Sequence, residues 1–147
     1  MSKQIIEWDL SNLYKGTDDP KINKDMKNIE KLAMKFNSEV KSKLVDASLK
    51  PAQLKEWYIT LEEIFERMFY LNLFSVLLYS TTSIDDKVKE LKAKMEEFSV
   101  KINEIVVFFE LELNFISEEK YQELLNSPEL TNYRHALEFN RLKKDHQ

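Results

Sequence analysis

The chain has 147 residues, of which 43% are hydrophobic and 33% are charged, and its formal net charge is -4. A chain of this length can bury a core without a disulfide or a structural metal. The sequence contains no cysteine, which excludes disulfide frameworks and thiolate zinc sites. Basic and acidic residues are mixed along the chain and are not segregated, which argues against a nucleic-acid partner.

Glycine is the most informative count, because the sequence has one, Gly16. Phosphate-binding loops and dinucleotide fingerprints need glycine at fixed positions, so these classes of enzyme are excluded. A chain poor in glycine and proline and rich in Leu, Lys and Glu is predicted to be all-α. The start of the chain lacks a signal-peptide pattern, and the apolar run over residues 68–79 is shorter than a membrane span. We therefore expect a cytoplasmic protein without a membrane partner.

The first predicted element is an extended or turn-rich arm over residues 1–17. Trp8, Leu10 and Tyr14 lie on this arm, and burying each large apolar side chain is worth roughly 1.5–3 kcal/mol. We therefore expect the arm to dock against the helices.

Two long helices are predicted next. Asp18 and Asp19 followed by Pro20 are typical of a helix start, and apolar residues at steps of three and four extend this first helix to residue 44. Pro51 opens a second helix, which ends near Thr82 and is apolar on nearly every side over residues 68–79.

A third helix is predicted to follow the capping sequence at residues 83–86 and to continue to residue 115. Ser117 caps a short fourth helix, and Ser127 with Pro128 opens a fifth. Short connections make the first three helices antiparallel neighbours. The prediction is one domain over residues 1–147: three long antiparallel helices as a bundle or coiled coil, two shorter C-terminal helices and the N-terminal arm.

The residues themselves indicate no self-contained active site. His135 and His146 are too far apart in sequence for a zinc-binding helix. Glu110 and Glu112 could act as an acid–base pair if burial separated their pKa values, but we favour carboxylates that point to solvent. His135 could serve as a general base, but we favour a polar edge of the last helix.

The neighbours of His135 and the acidic runs favour structural interpretations as well. We expect Arg134, which precedes His135, to pair with a nearby acid. The acidic runs at residues 62–66 and 96–97 are typical of solvated faces.

Five segments resemble the oligoendopeptidase F family of zinc metallopeptidases. Residues 8–14, WDLSNLY, are similar to the Trp-Asp-Leu-x-x-Leu-Tyr start of the family, and residues 18–22, 77–80, 108–113 and 128–135 resemble its later segments in the same order. The residues at family-motif positions, for which we expect structural roles, are Trp8, Asp9, Leu10, Tyr14, Phe109, Glu110, Tyr133, Arg134 and His135.

The resemblance implies the N-terminal helical region of the family, which forms part of the wall of a channel for oligopeptides. In the family, zinc-activated water cuts the peptide with a glutamate as base. The His-Glu-x-x-His zinc helix of the family lies in a later catalytic region. The resemblance therefore assigns no catalytic, cofactor-binding or metal residue to this chain, and zinc belongs to the full-length family.

Two hypotheses follow from this sequence. In the first, the chain is an N-terminal region or fragment of such a peptidase, inactive by itself, and meets oligopeptide substrate only through a full-length parent. In the second, it is a free-standing helical protein-interaction domain without catalysis. The reading frame beyond Gln147 distinguishes them. In either case we expect the isolated chain to form a homodimer through the apolar segments 68–79 and 105–115.

Overall fold

The computed structural model describes residues 13–144, and every regular element within them is helical. The predicted all-α class is therefore confirmed. The elements in chain order are α1 (Pro20–Val40), α2 (Pro51–Thr81), α3 (Asp86–Val106), α4 (Phe108–Leu113), α5 (Glu118–Leu125), a 3₁₀ helix (Pro128–Tyr133) and α6 (Arg134–Lys144). None of these helices has the length and apolar content that crossing a membrane requires.

Carboxylate side chains cap the starts of α1 and α3. Asp19 accepts a hydrogen bond from the Lys21 amide at 2.9 Å, as the predicted start of the first helix requires. Within the capping sequence at residues 83–86, the cap of α3 is Asp85, whose carboxylate accepts the Lys87 N–H at 2.8 Å. Each carboxylate satisfies an amide that a helix leaves without an internal partner.

The two C-terminal helices begin differently from each other. The Ser117 hydroxyl accepts the Lys120 N–H at 3.0 Å and so caps α5, as predicted. Ser127 precedes Pro128 but makes no side-chain capping bond. The predicted fifth helix consequently starts as a 3₁₀ turn, with non-helical dihedral angles at Leu130, and becomes α-helical only at Arg134.

The first helix ends earlier than the sequence predicts, at Val40 and not at residue 44. Ser42 adopts a φ of 72°, a left-handed conformation that ends a helix. Both carboxylate oxygens of Glu112 accept the Ser42 N–H, at 2.8 and 3.0 Å, and this bond holds the turn in place. Leu44 is still fully buried, although it reaches the core from a turn.

The predicted third helix is divided in two at Val107, with α3 before it and α4 after it. Val107 keeps helical dihedral angles (φ −61°, ψ −24°), and its N–H still donates to the backbone oxygen of Asn103 at 2.9 Å, so the chain does not turn there. The adjacent Phe108 and Phe109 are both buried at this point. The segment therefore uses more than one of its faces for packing.

The chain divides into two compact units. Unit 1 combines the described part of Met1–Lys31 with Phe65–Ile102, and unit 2 combines Leu32–Ile64 with the described part of Asn103–Gln147. Each of the three long helices thus contributes one part to each unit.

Apolar stripes at helical spacing build the core of each unit. In unit 1, Lys94 donates to Asn23 at 2.6 Å and Lys101 donates to Glu30 at 3.1 Å. The second bond lies seven residues further along both helices than the first. Within that unit, α1 and α3 therefore run in the same direction.

Candidate functional site

An aromatic cluster in unit 2 brings two of the family-motif segments together. Tyr133 stacks on Tyr58, with ring centroids 4.7 Å apart and planes 5° apart. Phe109 meets the same Tyr58 ring edge-on at 5.2 Å, and both Phe108 and Phe109 lie 5.6 Å from Phe36. These separations are the ones that aromatic pairs favour. Residues 108–113 and 128–135 are therefore joined through one side chain of α2.

The hydroxyl of Tyr133 is held as a hydrogen-bond donor. It donates to the Glu62 carboxylate at 2.6 Å. This bond, together with partial burial and the nearby negative charge, raises the pKa of Tyr133 to about 12. Burial, followed by the Glu110 carboxylate, also raises the pKa of Tyr58 above its ordinary value. Both phenols are thus protonated at neutral pH, and the Tyr133 hydroxyl supplies a donor, not a base.

The carboxylates of Glu110 and Glu112 do not pair with each other, and both remain partly exposed while each bonds to another part of unit 2. Glu110 makes an ion pair with Lys143 of α6, and Glu112 accepts the Ser42 N–H. Both side chains are half-buried. Each carboxylate therefore connects α4 to a different part of unit 2, and the two have separate structural roles.

A polar network lies beside the aromatic cluster, and sequence reasoning did not find it. Asn140 of α6 is buried and donates to the Asn114 side chain at 2.8 Å and to the backbone oxygen of Glu110 at 3.3 Å. The signal was present in the sequence, because Asn140 lies three residues after the buried Leu137, on the face of the helix where an apolar residue is expected.

Arg141 completes this network. Its guanidinium donates to the backbone oxygens of Asn114 and Ile116, at 3.4 and 3.2 Å. It also lies over the Tyr121 ring, 4.4 Å from the centroid, at a distance typical of a cation–π contact. The planar guanidinium suits this role because it offers several donors in a fixed arrangement. Arg141 thereby fixes the connection between α4 and α5.

His135 and Arg134 lie on the exposed surface of α6. The Nδ1 atom of His135 is 3.6 Å from the Glu138 carboxylate. Arg134 makes no ion pair with an acid among residues 13–144, so its expected pairing stays a prediction. The last helix therefore has the expected polar edge, on which His135 lies near Glu138.

Tyr14 is buried in unit 1. Its ring meets Phe74 edge-on at 5.1 Å, and its hydroxyl donates to Asp25 at 2.7 Å. Burial and then this bond raise the pKa of Tyr14 above its ordinary value. The other motif residues of the arm, Trp8, Asp9 and Leu10, lie outside the described residues. Tyr14 thus accounts for the part of the expected docking of the arm that falls within them.

Two further surface features stand out. A cleft of about 450 Å³ in unit 2 lies between the α1–α2 connection, residues 44–47, and the segment that leads into α5, residues 115–123. On the unit 1 part of α2, Phe65, Phe69 and Val76 are exposed and lie on one side of the helix because they are separated by four and seven residues. We call these three residues the α2 stripe.

The side chains between Leu13 and Lys144 form no group of three or more His, Asp or Glu that could hold a metal ion. No protein-family model, curated protein or solved structure matches the chain.

Proposed function

We propose that this chain is the N-terminal helical region of an oligoendopeptidase F-like zinc metalloendopeptidase and that it contributes contact surface for oligopeptides. Five segments in the order of the family support the assignment. The observation that carries the proposal is the meeting of Phe109 and Tyr133 on Tyr58. Segments that resemble the family at separate places in the sequence thus have a common packing role.

The proposed role follows from what the motif residues do. Tyr14 and Phe109 pack in the cores of their units, Tyr133 stacks on the buried Tyr58 ring, and Glu110 makes an ion pair with Lys143. In the full-length family, zinc supplies activated water and polarises the peptide carbonyl. The side chains described here would support that chemistry only indirectly, by giving the region a rigid shape next to the substrate.

The coding sequence tests this proposal directly. We expect the reading frame to continue past the codon for Gln147 and to encode His-Glu-x-x-His. The protein expressed from the complete frame should cleave a quenched fluorescent oligopeptide, and a metal chelator should abolish the cleavage. A stop codon directly after Gln147, or a frame that continues without the zinc motif, would contradict the proposal.

A second candidate function is a free-standing helical protein-interaction domain. The α2 stripe favours it, because Phe65, Phe69 and Val76 leave an apolar helix face uncovered by the described residues, and such faces mark interaction sites. A stop codon after Gln147, with a stable folded product in cells, is the result expected for this candidate. The coding sequence directly after Gln147 therefore distinguishes the two functions.

A further inference from the structure

The cleft in unit 2 has an apolar wall on each side. Leu44, Val45 and Ala47 line one side, and Phe115 and Ile116 line the other. Leu44 and Ile116 are buried, whereas Val45 is exposed and Phe115 is 77% exposed. A volume of about 450 Å³ falls in the range of sites that accept ligands of moderate size. The cleft therefore offers exposed apolar side chains, Val45 and Phe115, from both of its lining segments.

The rim of the cleft carries a net negative charge. Asp46, Glu119 and Glu123 line it together with one cation, Lys120. Lys120 is already engaged, because its Nζ donates to the backbone oxygen of Leu49 at 3.0 Å and to Glu123 at 3.2 Å. Three carboxylates and this single cation therefore leave the rim with a net negative charge, although Lys120 also acts on Asp46 through its charge.

Asp46 is held in its ionised form. Ser48 donates to the same carboxylate oxygen through its backbone N–H and its hydroxyl, both at 2.8 Å. These two bonds lower the pKa of Asp46 below its ordinary value. The second carboxylate oxygen of Asp46 makes no hydrogen bond within residues 13–144.

We propose that this cleft binds an oligopeptide segment that carries an apolar side chain next to a lysine or arginine. The apolar side chain would lie between Val45 and Phe115, and the cation would meet Asp46 and Glu119 at the rim. Burial of the apolar group supplies most of the affinity, while the rim charges select basic over acidic segments. This inference rests on the proposed function, which makes an oligopeptide the ligand.

The charges disfavour one alternative occupant, the α2 stripe of a second copy. Glu62 and Glu66 flank that stripe, so docking it into the cleft would bring carboxylates against Asp46 and Glu119. Like charges placed opposite each other across an interface reduce affinity. A basic oligopeptide avoids this repulsion.

Fluorescence anisotropy with the full 147-residue chain tests the inference. The probe is a short labelled peptide with alternating leucine and lysine, and its two controls replace every lysine by glutamate or every leucine by serine. We expect the probe to bind, with affinity that falls as salt rises, and each control to bind at least about tenfold more weakly. Equal binding of all three peptides, or no binding of the probe, would overturn the inference.

Two variants with matched controls locate the binding. Phe115→Ser and Glu119→Lys should each weaken probe binding by about tenfold. Phe139→Ser and Glu129→Lys change exposed residues of unit 2 that do not line the cleft, and binding should stay unchanged. Circular dichroism checks that all four remain folded. If the controls weaken binding as much as the cleft variants do, the cleft is not the site.

The outcomes separate this inference from the proposed function. Binding that depends on Phe115 and Glu119, with a stop codon after Gln147, supports the cleft and contradicts the peptidase. A frame that encodes the zinc motif, with a chain that does not bind the probe, supports the peptidase and overturns the cleft.

Discussion

Asn140 shows how much one buried amide contributes to unit 2. Its NH₂ group donates to Asn114 and to the backbone oxygen of Glu110. Changing Asn140→Asp places a carboxylate against these two acceptors at neutral pH, and we expect it to destabilise the fold by about 2 kcal/mol. Urea unfolding at pH 7 measures the change.

The loss of stability caused by Asn140→Asp should depend on pH. Burial raises the pKa of the new carboxyl in the folded state, so its contribution to stability is greatest when it is protonated and declines as pH rises. We therefore expect the destabilisation to be smaller at acid pH, where the neutral acid can donate. Asn132→Asp, on the exposed 3₁₀ helix, is the control. An equal effect at both positions would contradict the role of the buried pair.

The raised pKa of Tyr133 predicts that the chain loses stability at alkaline pH. Its pKa is raised from the ordinary 10.0 to about 12. The stability that this shift contributes is complete below pH 10 and is lost as pH rises toward about 12, because deprotonation breaks the bond to Glu62. Urea midpoints across this range should therefore fall less steeply for Tyr133→Phe than for the unchanged chain. Parallel curves would show that the bond to Glu62 does not control this decline.

At the scale of the helices, replacing a serine by glycine should change the stability in opposite directions at the end of α1 and within it. Ser42 has a left-handed backbone, which glycine adopts without strain, so Ser42→Gly should stabilise the chain by about 0.5–1 kcal/mol. Ser38 lies within α1, and Ser38→Gly should destabilise the chain by roughly 0.5 kcal/mol. Thermal unfolding compares them, and a loss of stability for both would refute the role assigned to Ser42.

The same region shows which parts of the fold a sequence can predict. Asp19 and Ser117 cap helices through residues two and three positions away, so these helix starts were predictable from local chemistry. The end of α1 was not, because the turn at Ser42 depends on Glu112, which is 70 residues away. Distant partners also explain why the site was predicted only in part. The motif indicated Phe109 and Tyr133, but nothing local indicated that both meet Tyr58.

For the molecule as a whole, we predict that the isolated chain self-associates. Phe69 is 59% exposed on the α2 stripe, whereas Phe109, in the other predicted contact segment, is 2% exposed and belongs to the core. Light scattering should give about twice the mass of 17.6 kDa. Phe69→Glu should restore the single mass, while Phe139→Glu, at an equally exposed position, should not. A single mass for the unchanged chain across a dilution series would contradict the dimer.

We also predict that the 147-residue chain alone does not cleave peptides, with or without added zinc. An open catalytic zinc site needs three protein ligands, and the two histidines of the sequence are eleven residues apart. A quenched fluorescent oligopeptide provides the assay, and a mock preparation from cells without the chain provides the control. Cleavage that a chelator inhibits and that the mock preparation lacks would contradict the prediction.

Several hydrogen bonds join pairs of residues whose separation in the sequence is nearly the same. In unit 2, Ser42 with Glu112, Leu49 with Lys120 and Glu62 with Tyr133 are separated by 70, 71 and 71 residues. Closing the first loop of this length costs about 4 kcal/mol of chain entropy. Once it is closed, each later pair is already nearly opposite its partner and forms at little further entropic cost. We therefore expect unit 2 to fold cooperatively, with a slow first long-range contact and faster formation of the later contacts.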